Sequence, residues 1–138
     1  MATLGDLHRA IGGSWKPAEG AAWQPDAAAL GRIVTDSRQV EPGDVFWALV
    51  GEKYDGAEFA AEAFRRGAAG AVAARPVEVP SDRWLLTVAD DQGALEQWAG
   101  WWRQQFAGTM IAVTGSVGKT TTREMIHTVL RARRQGTT

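Results

Sequence analysis

Residues 109–122 read Thr-Met-Ile-Ala-Val-Thr-Gly-Ser-Val-Gly-Lys-Thr-Thr-Thr, residue types suited to holding a phosphate chain. Gly115 and Gly118 permit backbone angles and a close approach that a Cβ would block. The N–H groups of such a loop, with the first turn of a helix behind it, point at an anion. Lys119 can reach terminal phosphates, and the Thr120 hydroxyl can ligate Mg²⁺. The alternative is a chance Gly-Lys-Thr in a surface turn, and context separates the two: a strand before the loop and a helix after it. Met110 to Val113 is a short apolar run of strand type, and Met125, Ile126, Val129 and Leu130 recur at helical spacing beyond the lysine. Strand, phosphate-cradling loop, helix is therefore the expected order, and ATP binding the expected use. Val113 stands where the general phosphate-loop pattern has a further glycine, which leaves the shorter Thr-Gly-x-x-Gly-Lys-Thr.

A second group, Thr35-Asp36-Ser37-Arg38, follows a short strand expected from Arg32 to Thr35. At a strand end, polar groups can project from the rim of a sheet. A hydroxyl beside a guanidinium suits phosphate or uracil recognition, because arginine offers planar paired donors. The same residues suit local structural roles equally well: an Asx turn by Asp36 and a surface ion pair for Arg38.

The elements that must position these groups follow from pattern and punctuation. Thr3 is a helix N-cap, Leu4, Leu7 and Ile11 share one face over residues 4–11, and Gly12-Gly13 stops the helix. Residues 14–30 give no firm assignment. Glu41-Pro42-Gly43-Asp44 is a turn, and Val45 to Val50 an apolar run short enough for a buried strand. Asp55 caps a helix over residues 56–66 with Phe59, Ala60, Ala63 and Phe64 as its inner stripe, and Gly67 ends it. Ala71 to Ala74 and Trp84 to Val88 read as further strands. Asp90 or Asp91 then caps a helix to about Phe106, with Leu95, Trp98, Trp102 and Phe106 as the expected apolar stripe and Trp101 off it. Strand, helix, strand in this order argues for α/β packing.

Composition narrows the class. With 45% hydrophobic and 22% charged residues, the 138-residue chain is core-forming rather than disordered. The net charge of −1 carries no basic excess, so no nucleic-acid partner is expected. Cysteine is absent, which rules out disulfides and thiolate metal sites within the chain. No apolar run reaches membrane-spanning length, and the first residues lack a signal-peptide pattern, so no membrane association is expected. Core packing is the expectation for Trp47, Trp84, Trp98 and Trp102; Trp15 and Trp23 are unassigned. His8 and His127 are isolated from any partner at ligand spacing. Arg131, Arg133 and Arg134 complement a helix C-terminus, and Glu62 with Arg66 is an i, i+4 surface pair.

Thr-Asp-Ser-Arg, then Pro-Gly-Asp-x-Phe-x-Ala-Leu-x-Gly over residues 42–51, then Asp-Gly and a helix, then Thr-Gly-x-x-Gly-Lys-Thr, together resemble the Mur ligase family over residues 30–134. The resemblance implies an α/β fold. A small mixed-sheet N-terminal domain, residues 1–88, would bind a UDP-N-acetylmuramoyl-peptide. Residues 89–138 would be the start of a central ATP-binding domain: helix, strand, P-loop, helix. It implies ATP and Mg²⁺ as cofactors, with Thr114, Gly115, Ser116, Val117, Gly118, Lys119, Thr120 and Thr121 around the phosphates. Lys119 would be catalytic and Thr120 the Mg²⁺ ligand, while Ser37, Asp36 and Arg38 would contact the nucleotide-sugar. The Ser-x-Gly-Lys loop followed by Arg-Glu-Met is similar to the members that add D-Ala-D-Ala to the UDP-linked tripeptide; the sister enzyme that adds the third residue more often has Thr-Asn-Gly-Lys.

What this implies is a cytoplasmic ligase, monomeric in its full-length form, that works through an acyl phosphate. The family's enzymes have three domains, so the expectation is a fragment inactive by itself. Two other classes remain: an unrelated P-loop phosphotransferase, and a non-catalytic nucleotide-sugar-binding module.

Overall fold

Thr3 opens the first helix, α1 (Leu4–Ile11), through a reciprocal cap. Its hydroxyl accepts from the Asp6 N–H at 3.1 Å, and the Asp6 carboxylate accepts from the Thr3 N–H at 2.9 Å. In the computed structural model, which describes residues 1–19 and 24–131, the chain divides into two units, Met1–Phe106 and Ala107–Thr138. The first unit is built on a five-stranded mixed sheet of β1 (Ser14–Lys16), β2 (Ile33–Val34), β3 (Val45–Ala48), β4 (Gly70–Ala73) and β5 (Trp84–Thr87), in the order β1-β5-β4-β3-β2. Strands β2 to β5 run parallel, and β1 pairs antiparallel with β5. The parallel strands β3 and β4 are buried residue for residue. They are covered on both sides, which is why they are continuously apolar rather than alternating.

The pleat divides the core in two. Phe46, Ala48, Ala71, Ala73 and Leu85 pack against α2 (Ala60–Arg65) through Ala60, Ala63 and Phe64. Val45, Trp47, Val72, Trp84 and Leu86 face the other way, against Leu4 and Leu7 of α1 and Ala94 and Trp98 of α3 (Asp91–Gln105). Gly70 faces Trp84 across the β4–β5 register, and a Cβ there would come within 2.1 Å of the indole. The missing side chain leaves room for the ring.

Four expectations change. The segment 56–66 is a 3-10 turn, Gly56–Phe59, that only then becomes α2. Leu49 O accepts the Gly56 N–H at 2.9 Å and holds the start against the strand. Phe59 is consequently not on the inner stripe; it is exposed and meets Tyr54 edge-on. On α3 the inward row is Asp91, Ala94 and Trp98, with Trp101 stacked on Trp98 at 4.8 Å, while Trp102 and Phe106 are exposed. A polar residue in the first turn hides that row from a hydrophobicity pattern. Helix α3, grouped above with the second block, packs on the first unit. Finally, Met110–Val113 forms no strand and is largely exposed. No ladder partner occurs among the described residues of its unit, and an extended segment cannot satisfy its backbone groups alone. That unit is an irregular segment leading into α4 (Lys119–Leu130). No helix among the described residues is long and apolar enough to cross a membrane. Trp23, Arg133 and Arg134 lie outside the described residues.

Candidate functional site

Because β2 to β5 are parallel, their C-terminal ends share one edge of the sheet, where α/β folds place ligands. Asp36, Ser37 and Arg38 leave β2 there. Asp36 caps a 3-10 turn over Ser37–Gln39: its carboxylate accepts the Arg38 N–H at 3.1 Å and the Arg38 Nε and Nη2 at 2.9 and 2.8 Å. Those bonds, the guanidinium's first and the backbone amide's second, hold the Asp36 carboxyl well below the ordinary aspartate range. Asp36 and Arg38 are thus brought together as a local pair, with the Arg38 side chain 76% exposed. Ser37 has a different partner. It is buried, and its hydroxyl donates to Glu62 Oε2 on α2 at 2.8 Å.

Neighbouring strand ends supply groups whose caps and turns the sequence indicates but whose long-range partners it does not. Asp55, after β3, caps Ala57 N–H at 2.9 Å and takes Arg75 Nε, after β4, at 2.7 Å. Asp44 is buried and accepts from Arg32 Nε and Nη2 at 3.2 and 2.8 Å and from Glu41 N–H at 2.8 Å. The Arg32 guanidinium lowers its pKa. This fork closes the Pro42-Gly43 turn below the site. Asp91 accepts Val50 N–H at 2.5 Å, and its carbonyl takes the Trp47 indole N–H at 2.9 Å, tying α3 to the end of β3. One clue is readable in advance: a tryptophan in a wholly apolar strand needs an acceptor for its N–H.

In the second unit, Gly115 and Gly118 adopt φ of 148° and 77°, the region that glycine enters without strain. A Cβ at Gly118 would meet nothing within 4 Å, so the angle and not crowding requires glycine there. Gly118 is the left-handed N-cap of α4 and carries no side-chain cap. The amides of Ser116, Val117, Lys119 and Thr120 donate to no acceptor among the described residues. Thr114 to Thr121 are all exposed, so the bend is open to solvent. The Lys119 ammonium donates to Gly115 O and so lies over the loop it would serve. Aligned amides, a helix N-terminus and an ammonium fit a polyphosphate. The Thr120 hydroxyl is a hard oxygen donor suited to Mg²⁺. No cluster of three or more acidic, histidine or cysteine ligands occurs among the described residues.

Residues 30–96 match the Mur ligase family, catalytic domain. The chain is 44% identical over 102 residues to a UDP-N-acetylmuramoyl-tripeptide–D-alanyl-D-alanine ligase of Synechocystis, a match over 73% of this chain and 22% of that protein. It is 46% identical over 109 residues to a UDP-N-acetylmuramoyl-L-alanyl-D-glutamate–2,6-diaminopimelate ligase of Mesorhizobium japonicum, covering 75% of this chain and 21% of that one. Among solved structures, a UDP-N-acetylmuramoylalanyl-D-glutamyl-2,6-diaminopimelate–D-alanyl-D-alanyl ligase from Acinetobacter baumannii superposes with a TM-score of 0.80 at 38% identity, over 95% of this chain and 28% of that one. A MurF ligase from Thermotoga maritima, in complex with ADP, gives 0.64 at 40% identity, over 75% and 24%. The chain spans about a quarter or less of the curated relatives it matches.

Proposed function

From the premise that this chain belongs to the Mur ligase family, whose members are ATP-dependent ligases of peptidoglycan precursor synthesis, we propose that it carries two binding elements of a cytoplasmic D-Ala-D-Ala-adding enzyme. The first unit receives the nucleotide end of UDP-N-acetylmuramoyl-tripeptide, with Ser37, Asp36 and Arg38 at the strand ends. Residues 114–121 receive the ATP phosphates. The carrying observation is the open bend of Gly115 and Gly118 at the N-terminus of α4, with amides that meet no acceptor among the described residues and Lys119 beside it.

In this reading Ser116, Val117 and the α4 N-terminus offer N–H donors to the phosphate oxygens. Lys119 leaves Gly115 O and places its positive charge on the terminal phosphates. Bound Mg²⁺ would neutralise phosphate charge, and Thr120 is the residue that would hold it. ATP phosphorylates the peptide carboxylate, and the dipeptide amine displaces phosphate. The chain's own contribution is positioning and charge stabilisation. Because the chain covers so small a share of its relatives, the 138 residues by themselves do not turn over.

Titration of the chain with ATP and with UDP-N-acetylmuramoyl-tripeptide tests the assignment. Lys119→Ala should weaken the first alone and Ser37→Ala the second alone. ATP- and D-Ala-D-Ala-dependent phosphate release by the chain would contradict the inactivity. Addition of the third residue to UDP-N-acetylmuramoyl-dipeptide is the competing specificity, favoured by the 46% identity to the diaminopimelate ligase. Tighter binding of the dipeptide-linked nucleotide than of the tripeptide-linked one would move the assignment there.

A further inference from the structure

Ser37 has one hydroxyl proton, and it goes to Glu62 Oε2 at 2.8 Å. Glu62 sits on α2, on a different element from Ser37, where Arg66 Nε also reaches its other oxygen at 3.4 Å. The Ser37 bond first, and then Arg66 and Arg65, hold the Glu62 carboxyl below the ordinary glutamate range, so it stays an acceptor. Around Ser37 charges of both signs lie close, with Arg38, Arg65 and Arg66 beside the carboxylates, so the local charge does not select the ligand. Glu62 and Asp36 are both carboxylates, and two of the Arg38 donor nitrogens are already used by Asp36. What the hydroxyl still has to offer is a lone pair.

We propose that Glu62 is a positioning residue: by taking the Ser37 proton it fixes that hydroxyl as a hydrogen-bond acceptor toward the bound nucleotide. Ser37 then reads a donor on the ligand, an imide N–H or a sugar hydroxyl, and not a phosphate oxygen. This rests on the reading that Ser37 meets the nucleotide. Glu62 is otherwise an ordinary i, i+4 partner of Arg66, and its reach to Ser37 is visible only once α2 is packed beside the end of β2.

The experiment is calorimetric titration of the 138-residue chain with UDP-N-acetylmuramoyl-tripeptide, using Ser37→Ala, Glu62→Ala, Glu62→Gln and the Ser37→Ala/Glu62→Ala double variant. Glu62→Ala should lose about tenfold in affinity, the scale of one hydrogen bond. Glu62→Gln keeps an acceptor oxygen and should stay within about threefold of the parent chain. On the Ser37→Ala background, Glu62→Ala should cost nothing further, since its effect runs through the missing hydroxyl. A role confined to clasping α2 to the turn would lower the melting temperature and leave affinity unchanged, and that result overturns the proposal. If Ser37→Ala binds like the parent chain, the underlying reading fails; if Ser37→Ala weakens binding and Glu62→Ala does not, the inference fails alone.

A second arm needs no Glu62 variant and compares ligands on one and the same protein. UDP is compared with N3-methyl-UDP and 2′-deoxy-UDP on the parent chain and on Ser37→Ala. The analogue lacking the donor that Ser37 reads should bind more weakly to the parent chain, and that penalty should vanish in Ser37→Ala. If neither analogue behaves so, the acceptor assignment is wrong.

Discussion

The two units solve different problems with the same kinds of residue. In the first, a sheet is covered on both faces, and Trp47, Phe46, Leu7 and Leu86 are almost wholly removed from water. In the second, no described residue is buried, and Met110, Ile111, Met125 and Val129 stand more than half exposed. Yet the loop proposed to hold phosphates lies in the second unit. A phosphate loop needs two glycine conformations, a helix start and a lysine, all local. A pocket at strand ends needs neighbouring strands to exist first.

Trp47→Ala tests that contrast most severely. It removes a fully buried indole and its bond to Asp91 O, and should cost about 3–5 kcal/mol, enough to unfold a domain of ordinary stability. Urea melts followed by tryptophan fluorescence would register it, while ATP titration should report little change if the loop is locally encoded. A large loss of ATP binding would break the comparison.

Lys119→Ala is the converse. It should reduce ATP affinity by roughly ten- to a hundredfold, the scale of a charged hydrogen bond, with no shift in melting temperature. An unchanged affinity would remove the loop from the binding site.

Asp44→Asn should destabilise the first unit by about 2 kcal/mol at neutral pH, since it removes the buried charge that Arg32 pairs with and turns one of the two acceptor oxygens into a donor facing N–H groups. The sign with pH follows from the lowered carboxyl. Its stabilisation is complete above the ordinary aspartate range near pH ~3.9. It is lost as pH falls through the depressed folded value. The parent chain should therefore lose stability steeply in acid, and Asp44→Asn should show a flatter acid limb. Equal slopes would mean that the fork contributes nothing.

The smallest effect is Thr3→Ala, which removes the α1 cap and should cost about 1 kcal/mol in the first unit alone. Backbone hydrogen exchange sharpens the same contrast, with β3 and β4 amides protected and those of residues 110–113 exchanging fast.

Much of the fold was readable locally. Thr3 and Gly12 bracket α1 as their chemistry requires, Asp90 caps α3, and the runs expected as strands at 45–50, 71–74 and 84–88 are strands over 45–48, 70–73 and 84–87. Two short segments failed in opposite directions. Ser14-Trp15-Lys16 has no strand pattern, yet it is β1, because Leu85 to Thr87 present it with an open edge. Met110–Val113 has the pattern and is not a strand among the described residues. Hydrogen bonds in a ladder come from another segment, so composition alone does not decide them.

The candidate site divides along the same line. The residue types at 36–38 and 114–121 and the glycine angles of the loop were set by the sequence itself, since each depends on a residue and its immediate neighbours. Which face of α3 lies inward, where the Asp91 carboxylate goes, and that the Ser37 hydroxyl spends its proton on Glu62 were decided by packing. Those bonds join residues 25 and 41 positions apart, and only a formed core brings such partners within reach.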